Sequence, residues 1–156
     1  MAKIDGCADC HTPTVQVEEV KGMGLAGGQP FRGPWGNVAS ANITPDDTGI
    51  RNYTEDFFLL VLRIGVVNGQ HLNPVMPVLA YQNLNDTDLK AVYSYLRSVP
   101  AVQHRVDNSL TPTDCKVCKQ RHGGGDKNSA VKKNWTNRNA WPVLLFSQIS
   151  TVLRCG

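Results

Sequence analysis

Two segments of the chain repeat apolar positions at helical spacing. Phe57, Leu60, Val61 and Ile64 fall at i, i+3, i+4 and i+7, which lays an apolar stripe along a helix over residues 54–64. Thr54 is suited to cap it, Glu55 and Asp56 sit where the helix dipole favours negative charge, and Gly65 is a stop. Asn85 and Asp88 form an Asn-x-x-Asp start, related to a capping box, for a second helix with Leu89, Val92, Tyr93 and Leu96 on one face. Pro100 ends it.

Between and around these helices the pattern is broken by turn formers. Residues 12–52 hold dense Gly, Pro, Asn and Asp, including Asn42-Ile43-Thr44-Pro45-Asp46-Asp47-Thr48-Gly49, and read as one long wrapping loop. A loop of that length inside a compact domain calls for a function, and covering a flat cofactor is one. A second loop over residues 66–84 contains Pro74-Val75-Met76-Pro77. Beyond Arg105 the periodicity dissolves. Residues 120–133 are polar, Gly-rich and basic, as in a linker or disordered segment, and residues 141–153 form a short apolar run. That run contains Ser147, Gln148, Ser150 and Thr151 and is 13 residues long, where a membrane span needs about 20 apolar residues.

Length and charge divide the chain in two. The 156 residues are one domain of ordinary size, or a smaller domain with an appendage. Up to His104 there are seven Lys+Arg against ten Asp+Glu, and from Arg105 onward nine against three. The expected organisation is a domain over 1–105 and a basic, Gly-rich tail over 106–156 that is disordered or non-native. A net charge of +3 is too small to argue for nucleic acid. No signal peptide opens the chain, so its first residues read as a mature or truncated start.

The five cysteines form two CxxC pairs, Cys7/Cys10 and Cys115/Cys118, with Cys155 left over; an odd count argues against a simple disulfide scaffold. Cys7-Ala8-Asp9-Cys10-His11 is the stretch that names a chemistry. Two thiols three positions apart can add to the two vinyl groups along one haem edge, and the next residue then falls beneath the iron as an imidazole ligand. CxxC alone also serves redox and zinc sites; the immediate histidine favours covalent haem c.

A haem bound by His11 leaves one axial position. Met23, Met76, His71, His104 and His122 carry suitable donors. Met76 is the best candidate, because two prolines stiffen its loop and a following helix can press that loop onto the haem. A thioether is a soft ligand that raises the reduction potential. Met23, in a Gly-rich loop, reads as a mobile apolar contact, His71 as the reserve ligand and His104 as solvated.

CADCHTP at 7–13, ANITPDDTGI at 41–50, TEDFFLLVLRIG at 54–65 and MPVLAYQNLNDTDLKAVYSYLRSVPAV at 76–102 together resemble class I bacterial cytochromes c. The NITPD-containing kind, found as electron-transfer subunits or domains of periplasmic dehydrogenases, is the nearest in pattern. The resemblance covers about residues 7–102. It implies an all-α, cytochrome c-like fold of short helices and long loops around one covalent haem c. It implies Cys7 and Cys10 as thioether positions, His11 as proximal ligand and Met76 as distal ligand, so that the chain is an electron carrier and not itself an enzyme. The implied partners are a dehydrogenase subunit upstream and a terminal oxidase or membrane cytochrome downstream, in the periplasm and peripheral to the inner membrane. Members of the family carry a helix before CxxCH. Only residues 1–6 precede Cys7 here, so the expectation is a missing N-terminal helix that leaves Leu89, Val92, Tyr93 and Leu96 short of packing.

Other residues carry weaker claims. Arg63 is a candidate partner for a haem propionate, against a solvated helix-end cation; Trp35 and Tyr53 are candidates for the propionates or the ring edge, against ordinary packing. Cys115 and Cys118 admit a second haem or another cofactor. With His122 and either His104 or Cys155 they also admit zinc and an interaction module, against a disulfide or free thiols.

Overall fold

In a computed structural model residues 5–33, 36–68, 70–106, 108, 113–114, 116 and 121–122 are described. Trp35, Cys115, Cys118, Cys155 and residues 123–156, with the alternatives that rest on them, lie outside these.

Helix α1 spans Asp5–His11 and carries the CxxCH motif itself. The first expected amphipathic helix is α2, Glu55–Ile64. The Thr54 side chain caps it by accepting from Phe57 N, and Gly65 closes it in the left-handed conformation at φ 64° with its N–H on Val61 O. A short α3, Val78–Tyr81, lies inside the segment expected to be loop. Helix α4 is Asp86–Ser98, with Asn85 accepting from Asp88 N at its start.

The all-α expectation needs correction, because the described residues also hold four antiparallel two-stranded hairpins. Strands β1 (Thr14–Val15) and β2 (Glu18–Glu19) form the first, β3 (Pro30–Gly33) and β4 (Gly36–Ala39) the second, β5 (Val66–Val67) and β6 (Gln70–His71) the third, β7 (Thr113–Asp114) and β8 (Arg121–His122) the fourth. Turn-forming composition here folds the chain back on itself locally instead of leaving it unpaired. In the β3–β4 pair Phe31 stands opposite Val38, so the long loop contains an apolar cross-strand pair.

The core lies where α2 crosses α4. Phe57, Phe58, Val61 and Leu62 are buried on α2, and Leu60 and Ile64 are only half-buried. The stripe is turned from the expected one because aromatic neighbours flank the helix on that side: Phe57 meets Tyr53 edge-on at 4.7 Å and Phe58 meets Tyr93 at 5.4 Å. On α4, Leu89 and Leu96 are 0% and 1% exposed, against the expectation that this face is short of packing; Val92 and Tyr93 are half-buried. Cys7 and Ala8 of α1 pack against the same cluster. Arg63, a candidate partner for a haem propionate, is engaged by protein groups. Its guanidinium donates to Gln82 O and, at 2.7 Å, to Asp86 Oδ1, tying α2 to the start of α4.

Leu89 fills a site with no exposure, so Leu89→Ala is expected to cost about 2–5 kcal/mol. The midpoint of urea unfolding checks this; a shift within the scatter of surface substitutions would show that the α2–α4 contact is not the core.

Candidate functional site

The CxxCH spacing on a helix fixes the first half of the site. Cys7 and Cys10, three apart on α1, share one helical face; both are half-buried free thiols. Burial pushes the Cys7 thiol up, partly offset by a hydrogen bond from the Tyr81 hydroxyl. The same burial, with Cys7 alongside, pushes the Tyr81 phenol up to about 12.

His11, in the last turn of α1, is 9% exposed. Its Nδ1 lies 2.7 Å from Ala41 O. A carbonyl oxygen only accepts, so Nδ1 carries the proton and Nε2 keeps its lone pair. Burial pushes the imidazole below its usual range, and the bond to Ala41 opposes this only in part. The shift favours the neutral ring, which is the form that binds a metal.

The strand-like segment behind Ala41 is held by a buried amide. Asn42 is 1% exposed and Thr44 0%. Asn42 Nδ2 donates to Thr48 Oγ1 at 2.9 Å and to Val102 O at 2.8 Å. Its Oδ1 accepts from Thr44 N at 2.9 Å and from Thr44 Oγ1 at 2.8 Å. Asp46 completes the knot, accepting from Thr48 N at 2.8 Å and Thr48 Oγ1 at 2.6 Å, and these two bonds hold its carboxyl below the usual range. Gly27 lets the neighbouring loop close on this segment: at φ 73°, a Cβ there would lie 2.4 Å from Ala41 C. Its N–H bonds His11 O at 2.7 Å.

Met76 sits in a turn set by another buried amide. Asn73 is 7% exposed and its Oδ1 accepts from Val75 N at 3.0 Å, with Met76 N on Asn73 O at 2.9 Å. Cys7, Cys10, His11 and Met76 all line one cleft, which contains about 1530 Å³ of empty space including its open mouth. Phe58, Val61, Leu62, Leu72 and Leu96 supply apolar wall. Two thiols on one helical face, a neutral imidazole and a thioether around an apolar cleft fit a haem.

The remaining candidates fall in different places. Tyr53 lines it, buried, and its backbone O accepts from Tyr93 Oη at 2.8 Å. Met23 lines a different hollow, beside His104, and His71 lies half-buried in β6. His104, expected to be solvated, is half-buried, with Nδ1 2.9 Å from Ala26 O and its N–H on Thr48 Oγ1 at 3.0 Å. Gly28 leaves room for its ring, since a Cβ there would lie 2.8 Å from His104 Cε1. The His122 side chain lies outside what is described. Among the described residues no three His, Cys, Asp or Glu side chains gather as a metal cluster. Sequence reasoning missed Asn42, Asn73, Tyr81 and Asn108. Asn108 also lines the cleft and clamps Ala39, accepting from its N–H at 2.9 Å and donating to its O at 3.1 Å. The crowding of short polar side chains from Asn42 to Thr48 was the one signal that pointed to a buried network.

No protein-family model matches the chain. It is 45% identical over 92 residues to the fructose dehydrogenase cytochrome subunit of Gluconobacter japonicus, covering 58% of this chain and 18% of that protein. It is 38% identical over 115 residues to the gluconate 2-dehydrogenase cytochrome c subunit of Pantoea cypripedii, covering 70% and 24%. To the cytochrome c subunit of the quinone alcohol dehydrogenase of Gluconobacter oxydans it is 36% identical over 97 residues, covering 61% and 19%. The chain thus spans roughly a fifth of the length of these curated relatives. All three are cytochrome subunits of dehydrogenases, and the likeness supports a c-type cytochrome with haem c and electron transfer.

Asn42→Ala is expected to strand Thr44 N and to leave Val102 O with only the 3.4 Å bond from Thr44 Oγ1. At about 1–3 kcal/mol for each such group, the loss is a large part of a typical total of about 5–15 kcal/mol; chemical denaturation checks it. Acid should weaken the same knot. The folded Asp46 carboxyl titrates below its unfolded value, so its contribution is present above about pH 4 and lost as pH falls through the folded value. Denaturation at a series of pH values should show a shallower acid loss in Asp46→Asn than in the parent, and equal slopes would contradict the assignment.

Proposed function

We propose that this chain is a one-electron carrier holding a single covalent haem c. Cys7 and Cys10 form the thioethers, His11 is the proximal ligand and Met76 the distal ligand. The observation that carries the reading is the gathering of two thiols, a neutral imidazole with its lone pair on Nε2, and a thioether around one apolar cleft.

When bound, the haem supplies an iron that alternates between Fe(III) and Fe(II). The protein's part is to hold that site and tune it. Ala41 O fixes the tautomer and tilt of His11 and makes the imidazole a stronger donor. Met76 supplies a soft donor that favours the reduced state, and the Asn73 turn keeps it in place. Phe58, Val61 and Leu62 give the cleft an apolar wall. With His11 and Met76 both holding the iron, no donor site would be left for a substrate, so the chain would pass electrons and would make or break no substrate bond.

The fold this implies is that of a cytochrome c, with small hairpins added to its helices. Its partners in this reading are a dehydrogenase subunit as electron source, in keeping with relatives named as cytochrome subunits of dehydrogenases, and a terminal oxidase or membrane cytochrome as acceptor, in the periplasm. No described helix is long and apolar enough to cross a membrane. Contacts between such redox partners are small and brief.

Expressed in a host that attaches haem, the chain should contain one haem per polypeptide by pyridine haemochrome; a count near two would overturn the single-haem reading. Met76→Ala should abolish the weak long-wavelength band of methionine-ligated ferric haem and lower the reduction potential by on the order of 0.1 V, within the ~0.8 V that axial ligation spans. A band that survives would mean that Met76 is not the ligand.

A further inference from the structure

The turn that carries Met76 uses only half of the Asn73 amide. Its Oδ1 accepts from Val75 N at 3.0 Å, which identifies the other atom as Nδ2, with two N–H groups to donate. Neither has an acceptor among the described residues. Asn73 is nonetheless only 7% exposed, and it lines the cleft. A buried donor without a partner is destabilising and rare in a folded protein, so this one calls for an acceptor that comes with whatever fills the cleft.

The place of the amide narrows the choice of acceptor. Tyr81 follows Met76 in the chain and brings its hydroxyl to Gly6, where a Cβ would lie 3.4 Å from Oη; it marks the Cys7 end of the cleft. Asn73 precedes Met76, on the other side of that ligand along the chain, and is tied to the end of α2 by Leu72 N on Gly65 O at 2.7 Å. A haem carries its two vinyl groups along one edge and its two carboxylates along the opposite one. No Lys, Arg, Asp or Glu stands among the described residues that line the cleft, and Arg63 is engaged with Gln82 O and Asp86 Oδ1. A carboxylate in the cleft would depend on neutral donors.

We propose that the Asn73 side-chain amide anchors one haem carboxylate, with Nδ2 donating to the anion while Oδ1 holds the Met76 turn. The inference rests on the haem c reading and gives one residue two duties. The planar amide that shapes the loop of the distal ligand also registers that loop against the carboxylate edge of the ring. Donation to the ionised form favours that form, so the anchored carboxylate stays charged to lower pH than it would without the amide.

The test uses holoprotein whose haem carries carbon-13 at its carboxylates, so that infrared spectra taken over a range of pH follow those two groups alone. Cys7, Cys10, His11, Tyr53 and Tyr81, the titratable residues that line the cleft, carry no label. In Asn73→Ser the hydroxyl can still accept from Val75 N, but the amide N–H groups are gone. The expected result is that one labelled carboxylate titrates about one pH unit higher than in the parent, a tenfold gain in proton affinity and the scale of one hydrogen bond to a charged group. If Asn73→Ser yields little holoprotein, Asn73→Asp decides. It keeps an oxygen for Val75 N and sets a second anion against the first, so the midpoint should rise further. An unmoved midpoint in the variant measured would overturn the proposal. A shift of the methionine-ligated ferric band with both carboxylates unmoved would assign Nδ2 to the Met76 thioether and overturn it as well. Parent protein without covalent haem would instead sink the haem reading itself.

Discussion

The buried Asn42 amide is the constraint on which the rest of the site depends. An amide side chain removed from water must find partners for both its N–H groups and its oxygen. Asn42 does so within its own loop and with the segment that follows α4. Its neighbour Ala41 then has its carbonyl facing the His11 ring. Folding the 41–50 loop and setting the imidazole are therefore one event. Gly27 makes the arrangement possible, because any side chain there would separate the two backbones.

Core and site are built from the same side chains. Phe58, Val61, Leu62 and Leu96 are buried in the helical core and also form cleft wall. A flat apolar group held there shields the residues that keep α2 on α4, so binding and stability are linked. This suits helices of 7, 10, 4 and 13 residues, too short to be stable by local propensity alone.

Much of this was legible in the chain, and the rest was not for definable reasons. The caps at Thr54 and Asn85 and the stop at Gly65 are local chemistry, and they stand where the residues indicated. The buried face of α2 takes in Phe58 and Leu62 where Leu60 and Ile64 were expected, because i, i+3, i+4 spacing defines a stripe about a hundred degrees wide and tertiary neighbours such as Tyr93, against Phe58, decide which edge is covered. His104 was misread for a similar reason: an imidazole past the last helix is solvated unless a distant carbonyl and a glycine make room for it, as Ala26 and Gly28 do. Arg63 found its partners, Gln82 O and Asp86 Oδ1, 19 and 23 positions along the chain, beyond the reach of any local rule.

Sequence alone determined the chemistry. The spacing of Cys7, Cys10 and His11 and the placing of Met76 between prolines are properties of the covalent chain, and they define which donors exist and in what order. Only the tertiary structure decided how they meet. Which carbonyl fixes the His11 tautomer and which amide clamps Ala39 depend on contacts 30 and 69 positions apart. A hydrogen bond is specified by distance and angle to within tenths of an ångström, and such precision arises only when the packed elements have brought remote backbones together.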